Sequence, residues 1–464
     1  MFTPVTKEHI SFFSSLLRDR CLIDADALEK YSHDETEDIS VCPEVVLKPE
    51  SPEEVSAIMT YCNQHLICVT PSGGRTGLSG GAIPANKGVA LSMEKFDRIL
   101  NIDENNNQVI TEPGVITQVL QEAVKEKGMF YPPDPSSKGS CFIGGNVAEN
   151  AGGPKAVKYG VTSDYVLNLE VVLPTGEIIW TGANVLKNAT GYNLTQLLVG
   201  SEGTLGVITK IVLKLIPHPT NDLLLLVPFY DAAQACSAVA EIFKKGITPS
   251  GLEFMEREAL IWTQAILQDE SITVGDEHAA HLLIEVDGFD QAVLMEECTR
   301  IMEVLDDFET DEILFAESQA QKDALWKLRR NVAEAVKANS IYKEEDTVVP
   351  RYELPKLLNQ VKRIGDKYGF KSICYGHAGD GNLHVNIIKG ELSDYQWEQE
   401  IPIAIRELFE QVVKLGGTLS GEHGIGLVQK SFMDIAFGPK SIKVMSEIKK
   451  VFDPNGILNP GKIF

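Results

Sequence analysis

The sequence contains no Cys-x-x-Cys pair, although it has eight cysteines. This absence argues against an iron–sulfur cluster or a zinc ribbon and predicts thiols that are reduced and partly buried. No run of about 18 apolar residues occurs, so no membrane-spanning helix is expected. Lys7 and Glu8 stand where a signal peptide would need its apolar core. We therefore expect a cytoplasmic protein.

Positive charge is scarce. The chain has 42 Lys and Arg against 66 Asp and Glu, a formal net charge of -24. A nucleic-acid backbone would be repelled by this charge, so no nucleic-acid partner is expected. A small anionic substrate remains compatible if its pocket is basic. A chain of 464 residues is too long for one ordinary core, which predicts two or three domains.

The familiar nucleotide-binding motifs are also missing, since neither a Walker motif nor Gly-x-Gly-x-x-Gly occurs. Three glycine-rich segments are present instead, at residues 71–82, 132–153 and 187–217. Glycine lets the backbone approach a ligand closely, and successive N–H groups can form an anion nest. One such segment would fit a structural turn equally well. Three of them predict a long ligand that lies over much of one domain.

Apolar patterning predicts strands and helices in both halves of the chain. A strand at 45–49, a helix capped by Ser51 and a strand at 66–70 lead into the first glycine segment. A hairpin is expected to turn at 174–176. After residue 217, strands alternate with amphipathic helices, which indicates an antiparallel sheet covered by helices and an α+β fold.

Two short stretches carry the candidate chemistry, YGHAGDGNLHVN at Tyr375–Asn386 and SGEHGIG at Ser420–Gly426. A strand over Leu383–Ile387 would place His384 and Asn386 on one face, and the preceding turn can bring His377 beside them. Two imidazoles suit zinc, iron or manganese, and Glu422 would complete a three-ligand site with open positions. The alternatives are histidines that only satisfy a core and a glycine turn with exposed charges.

Several of these motifs occur together in one known family. PSGGRTGLSGG, PPDPSS, IGGNVAENAGG, KYG and GSEGTLGVIT resemble the successive flavin-binding segments of the vanillyl-alcohol oxidase/p-cresol methylhydroxylase family. WKLRRNVAEAV, YGHAGDGNLHVN, GEHGIG and DPNGILNPGKIF extend the resemblance over nearly the whole chain. The branch it resembles most contains FAD-linked D-2-hydroxyacid dehydrogenases, namely D-lactate dehydrogenase, the FAD-linked chain of glycolate oxidase, and D-2-hydroxyglutarate dehydrogenase.

The resemblance implies a fold and a domain division. A two-subdomain FAD-binding domain would span residues 1–217, and a substrate domain with an antiparallel sheet covered by helices would span 218–415. Residues 416–464 would carry active-site residues and return to the FAD domain. The positions implied to contact FAD are Ser72, Gly73, Gly74, Arg75, Thr76, Gly77, Pro133, Asp134, Gly144, Gly145, Asn146, Asn150, Gly152, Gly153, Gly160, Glu202, Gly203, Ile208 and Asn459.

The resemblance also implies roles at the reaction centre. His377, His384 and Glu422 are the implied ligands of a divalent metal, zinc first, with manganese and iron as alternatives. Arg329 and Lys343 match residues that bind the substrate carboxylate, and Asn386 is a third candidate for substrate binding. A 2-hydroxy acid would chelate the metal, His423 would take the hydroxyl proton, and the C2 hydride would pass to flavin N5.

Departures from the family pattern refine the hypothesis. Covalently flavinylated members have a histidine near the position of Arg75, so its absence predicts non-covalent FAD. The 2-hydroxyglutarate enzymes have a threonine where this chain has Ala333, which favours D-lactate or glycolate. Rival hypotheses are a D-2-hydroxyglutarate dehydrogenase, a metal-free alcohol or sugar oxidase, and a non-catalytic flavoprotein subunit.

The electron acceptor is expected to be a separate protein or a quinone, because the chain has no cluster motif of its own. A homodimer and peripheral attachment to a membrane through that acceptor are compatible with this hypothesis but are not required by it.

Overall fold

The computed structural model describes residues 2–268 and 274–464. The chain divides into two compact units: residues up to 152, 161–218 and 422–464 form the first, and residues 153–160 and 219–421 form the second. The division expected from the sequence differs in two respects. The short segment 153–160 belongs to the second unit, and the final segment of the first unit begins at Glu422 rather than at residue 416.

The regular elements alternate throughout the described residues. The strands are β1 Cys21–Leu22, β2 Val45–Leu47, β3 Val69–Ser72, β4 Val89–Ser92, β5 Ile99–Asp103, β6 Gln108–Thr111, β7 Met129–Phe130, β8 Val166–Val172, β9 Ile178–Trp180, β10 Val207–Lys214, β11 Ile216–Pro217, β12 Asn221–Phe229, β13 Gly251–Glu256, β14 Ala280–Gly288, β15 Leu314–Phe315, β16 Tyr342–Val348, β17 Lys371–Gly376 and β18 Asn382–Ile388. The helices are α1 Lys7–Leu17, α2 Ala25–Lys30, α3 Pro52–His65, α4 Thr117–Lys125, α5 Ile143–Glu149, α6 Ala156–Tyr159, α7 Leu194–Leu198, α8 Ala232–Lys244, α9 Arg257–Leu267, α10 Gln291–Leu305, α11 Gln319–Arg330, α12 Val332–Asn339, α13 Leu354–Tyr368, α14 Ile401–Lys414, α15 Met433–Ala436 and α16 Pro439–Phe452. These elements confirm the predicted α+β class.

The first unit contains a four-stranded sheet in the order β1-β2-β4-β3 and a five-stranded sheet in the order β5-β6-β10-β8-β9. The Ser51 side chain caps α3 by accepting the N–H of Glu54, as the sequence predicts. The strand expected at 66–70 begins later, at Val69, because Leu66 is the left-handed C-cap of α3 with φ 54°. The predicted hairpin forms between β8 and β9.

The tail of the chain contributes to the first unit. Leu458 pairs with Val69 in a parallel bridge, and both side chains are fully buried in the core of this unit. All eight cysteines of the chain are free thiols, as expected.

The second unit contains a seven-stranded antiparallel sheet in the order β15-β12-β14-β13-β17-β18-β16. One sheet face packs against α9, α11 and α12 through apolar side chains such as Leu328, Val332 and Val336. The helical spacing of Leu325, Leu328, Val332 and Val336 predicts a single helix through these residues. The structure has two helices instead, α11 and α12, separated at Asn331. The Asn331 side chain donates to the carbonyl of Lys327 at 2.8 Å, which caps α11 where the helix ends.

Ion pairs explain why residues 153–160 belong to the second unit. Lys158 Nζ lies 2.7 Å from Asp287 Oδ1 on β14, and the Tyr159 hydroxyl donates to the same oxygen at 2.7 Å. Lys155 pairs with Glu285 on the same strand. Burial disfavours the Asp287 carboxylate, but Lys155, Lys158 and Tyr159 outweigh that effect and hold its pKa below the usual range.

Candidate active site

The histidine stretch forms the end of β17, a tight turn and β18. His384 and Asn386 lie on one face of β18, as their spacing predicts, and both are buried. In the turn, the N–H of Asn382 donates to the carbonyl of His377 at 3.1 Å. The turn brings the two imidazoles together, with 5.4 Å between ring centroids. The sequence-based prediction that His377 folds back beside His384 is therefore confirmed.

Glu253 on β13 connects His377 to Arg329. His377 Nδ1 lies 2.9 Å from Glu253 Oε2, and a guanidinium nitrogen of Arg329 lies 2.6 Å from the same oxygen. Burial disfavours the charged carboxylate, but His377 and Arg329 outweigh burial and hold the pKa of Glu253 below its usual value. A carboxylate on Nδ1 orients the ring so that Nε2 presents the lone pair to a metal.

Arg329 is not a surface residue. Its side chain, in the last turn of α11, is 3% exposed, and the guanidinium lies 5.2 Å from the ring centroid of Tyr375. Tyr375 pairs directly with His384, so Arg329 faces the same side of the sheet as the histidines. The structure therefore brings this predicted substrate-binding residue to the site.

Lys343 is not brought to the same place. It pairs with Ile387 on β18, and side chains alternate along a strand, so Lys343 lies on the sheet face opposite His384 and Asn386. Its ammonium group lies 5.1 Å from the ring centroid of Trp397. The placement of Lys343 does not support its predicted contact with the substrate carboxylate, because the sheet separates it from the histidines.

The neighbours of Lys343 face the histidines instead. His384 Nδ1 lies 3.4 Å from Glu344 Oε1 and 3.7 Å from Asp346 Oδ1. Asp346 also accepts hydrogen bonds from the hydroxyl of Ser420 at 2.9 Å and from the N–H of Gly421 at 2.8 Å. The first two residues of the second candidate stretch therefore donate hydrogen bonds to the same carboxylate that lies beside His384.

Glycine is needed at both ends of the pair Glu422 and His423. A Cβ on Gly421 would lie 2.6 Å from Val348 Cγ2, and Gly424 has φ +83° in the left-handed region. Glu422 and His423 are the first residues of the last segment of the first unit. Gly424 therefore has a backbone conformation that favours glycine, whereas Gly421 is required by close packing.

In the first unit, several positions implied to contact FAD have unusual backbone conformations. Arg75, Asn150, Glu202 and Asn459 are non-glycine residues with φ of 58°, 55°, 51° and 44°. Left-handed conformations at such residues cost energy and cluster at functional sites. The Arg75 guanidinium lies 4.3 Å from the ring centroid of Tyr31.

Unsatisfied polar atoms in the same unit fit a polar cofactor. Within the described residues, the buried atoms Ser72 Oγ and Asn459 Oδ1 have no hydrogen-bond partner, and such atoms are costly unless a ligand or water satisfies them. A Cβ built on Gly145 meets nothing within 4 Å, so space is open beside that backbone. These features fit FAD. Gly153 and Gly160 differ from the other predicted contacts because they belong to the second unit.

Two family descriptions match the chain. The C-terminal domain of FAD linked oxidases matches residues 218–463, and an FAD binding domain matches residues 43–182. The chain belongs to the FAD-linked oxidase family. It is therefore a flavoprotein oxidoreductase, and the expected family is confirmed.

Curated relatives support the same assignment over most of the chain. D-lactate dehydrogenase of Anaerostipes hadrus is 38% identical to this chain, and the alignment covers 100% of this chain and 98% of the relative. Glycolate oxidase subunit GlcD of Bacillus subtilis is 38% identical, with coverage of 94% and 92%. D-2-hydroxyglutarate dehydrogenase of Stutzerimonas stutzeri is 34% identical, with coverage of 96% of each chain. These proteins place the chain in the group of FAD-linked D-lactate, glycolate and 2-hydroxyglutarate dehydrogenases.

Solved structures show the fold. p-Cresol methylhydroxylase with substrate bound aligns with a TM-score of 0.80 at 19% identity, over 100% of this chain and 98% of that one. 4-Ethylphenol oxidase from Gulosibacter chungangensis aligns with a TM-score of 0.78. Among the described residues, no helix combines the length and the apolar character that a membrane crossing requires.

Sequence reasoning missed three carboxylates beside the histidines: Glu253, Glu344 and Asp346. A signal for the last two was present, because Glu344 and Asp346 are two residues apart on a strand and so share a face. Glu253 lies 124 residues from His377 in the chain, and no spacing rule could connect them.

Proposed function

We propose that this protein oxidises a small D-2-hydroxy acid, D-lactate or glycolate, to the corresponding 2-oxo acid. FAD is bound non-covalently in the first unit, and His377, His384 and Glu422 hold a divalent metal, with zinc the first candidate. The observation that carries the proposal is the contact of Glu253 with both His377 and Arg329. One buried carboxylate thus contacts both the proposed metal ligand His377 and the cation that would bind the substrate carboxylate.

The donor set fits a metal ion that activates a hydroxyl group. His377 and His384 supply nitrogen donors, and the buried acids Glu253 and Asp346 lie next to them. Glu422 follows Gly421 directly, and the N–H of Gly421 is held by Asp346. When bound, the metal lowers the pKa of the substrate hydroxyl, and FAD accepts the hydride that leaves C2.

The roles of the chain's own residues follow from chemistry and placement. Arg329 binds the substrate carboxylate, since a guanidinium can form two parallel hydrogen bonds to it. Asn386 lies on the same sheet face as His384 and orients the substrate. His423 takes the hydroxyl proton as general base, because histidine is the side chain most often used for proton transfer near neutral pH.

Ala333 supports a small acid, because its methyl group offers no hydrogen bond to a second carboxylate. The D-lactate dehydrogenase and glycolate oxidase relatives point to the same substrates. A second candidate is D-2-hydroxyglutarate, which the 34% identity to a D-2-hydroxyglutarate dehydrogenase favours. With either substrate, electrons would pass from the reduced flavin to a separate protein or quinone.

Anaerobic mixing with a panel of D- and L-2-hydroxy acids tests the proposal. Flavin absorbance is expected to bleach with the D enantiomer of lactate, or with glycolate, and more slowly with D-2-hydroxyglutarate. A second panel of alcohols and sugars is mixed in the same way. Bleaching only by that panel would favour the metal-free oxidase, and no bleaching by any compound would favour a non-catalytic subunit.

His423→Asn tests the assignment of the base. Loss of a general base costs about 10²–10⁴ in rate, so stopped-flow bleaching should slow by that factor while flavin and metal contents stay unchanged. His65→Asn is the control, because His65 is an exposed histidine of the same unit. Bleaching at the wild-type rate would show that another group takes the proton, and loss of the metal would make His423 a ligand.

A further inference from the structure

Glu202 is a buried carboxylate of the first unit, and the family resemblance implies that it contacts FAD. Its side chain accepts the N–H of Ile425 at 2.8 Å and the N–H of Gly426 at 2.6 Å, one on each oxygen. These are the second and third residues after His423. The residue is 6% exposed, so the two hydrogen bonds are shielded from water.

The loop after His423 packs closely against the Glu202 carboxylate. A Cβ on Gly424 would lie 3.1 Å from Glu202 Oε1 and 2.4 Å from Glu149 Oε2. A Cβ on Gly426 would lie 2.1 Å from the carbonyl oxygen of Ser79. The loop can therefore lie this close to its neighbours only because both residues are glycines.

The backbone of Glu202 extends the same network to two other segments. Asn459 Nδ2 donates to the carbonyl of Glu202 at 2.8 Å and to the carbonyl of Gly81 at 3.0 Å. The N–H of Leu427 donates to the carbonyl of Ser79 at 2.8 Å. Glu202 thus connects the loop after His423 with the first glycine segment and the C-terminal tail, all within one unit.

We propose that the Glu202 side chain is a positioning residue that holds the loop after His423 in place, and is not a flavin ligand. The inference rests on the proposed role of His423 as general base. Two hydrogen bonds from successive N–H groups to the two oxygens of one buried side chain fix both the position and the orientation of the loop. Proton transfer requires hydrogen-bond reach, so a small displacement of His423 slows the reaction without changing what is bound.

Glu202→Gln tests this role, because glutamine keeps one acceptor oxygen and presents an N–H₂ group to the other donor. The expected result is flavin reduction slower by about 10²-fold, the cost of a displacement of about 1 Å, with flavin content and KM unchanged. Glu170→Gln is the matched control, because Glu170 is also 6% exposed and lies in the same unit. Glu170 pairs with Lys210 at 2.9 Å and not with the loop after His423. The Glu170→Gln protein should therefore reduce flavin at the wild-type rate.

A double variant separates positioning from general destabilisation. If Glu202 acts only through His423, then Glu202→Gln combined with His423→Asn reduces flavin no more slowly than His423→Asn alone. Glu202→Asp serves as the second variant if the glutamine protein does not fold. Its carboxylate is one methylene shorter, so it should slow reduction with normal flavin content and show the same lack of further loss.

Three results would overturn the inference. The first is loss of FAD from Glu202→Gln or Glu202→Asp, and the second is flavin reduction by these variants at the wild-type rate. The third is a double variant in which the two losses of flavin-reduction rate multiply. Failure of the proposed function is a different outcome. In that case His423→Asn alone would reduce flavin at the wild-type rate.

Discussion

Glu253→Gln is the change that the structure makes most informative. Glu253 is fully buried and contacts both His377 Nδ1, at 2.9 Å, and the Arg329 guanidinium, at 2.6 Å. Glutamine keeps the shape but removes the negative charge, so the Arg329 cation loses its buried counter-charge. Hydrogen bonds to charged groups contribute about 1.5–3 kcal/mol each, and breaking a buried ion pair costs about 3–5 kcal/mol. We expect a destabilisation of about 3 kcal/mol, because the glutamine carbonyl still accepts one hydrogen bond.

The effect on the metal should be separate and measurable. Loss of a carboxylate that orients a ligating histidine typically costs about 10–100-fold in metal affinity. Competition with a chelator measures this affinity, and thermal unfolding measures stability. Flavin absorbance in the same samples should be unchanged. Glu253 lies in the second unit, whereas the positions implied to contact FAD lie in the first unit, apart from Gly153 and Gly160.

Glu256→Gln is the matched control. Glu256 lies on the same strand, and an odd spacing of three residues places it on the opposite sheet face. It is also buried, and it pairs with Lys362 at 2.6 Å. This variant should lose stability but keep its metal affinity. Equal loss of metal affinity in both variants, or unchanged affinity in Glu253→Gln, would refute the reasoning.

Three further predictions follow from individual residues. Acid precipitation should release FAD into the supernatant, because the family resemblance implies a flavin-linking histidine near the position of Arg75 and this chain lacks it; yellow precipitated protein would contradict this. His384→Ala should lose metal in elemental analysis and keep its flavin absorbance, and full activity without metal would rule out metal-assisted oxidation. Arg329→Lys should raise KM by about 10–100-fold, the equivalent of one charge-assisted hydrogen bond, whereas Lys343→Met should leave KM unchanged because Lys343 lies on the other sheet face. A raised KM for Lys343→Met would place that ammonium at the substrate after all.

Local features could be predicted from the sequence because their causes are local. The Ser51 cap, the β8–β9 hairpin and the shared face of His384 and Asn386 depend on neighbours a few residues away. The end of β17 and the turn before β18 also follow from short-range patterns, which is why His377 could be placed beside His384. The α+β class follows from the alternation of such elements along the chain.

Other features depend on contacts between distant residues, and only the tertiary structure decided them. Glu253 meets His377 because β13 and β17 are adjacent in the sheet, and the packing of residues 153–160 depends on ion pairs with β14. For Lys343, the family motif identifies a position but not the face of the strand, which depends on the register with β18. The family resemblance implies that Glu202 contacts FAD, although its carboxylate accepts hydrogen bonds from two residues more than 200 positions later. Sequence patterns report periodicity and chemistry within a segment, whereas strand order, register and buried charge pairing arise only when the segments pack together.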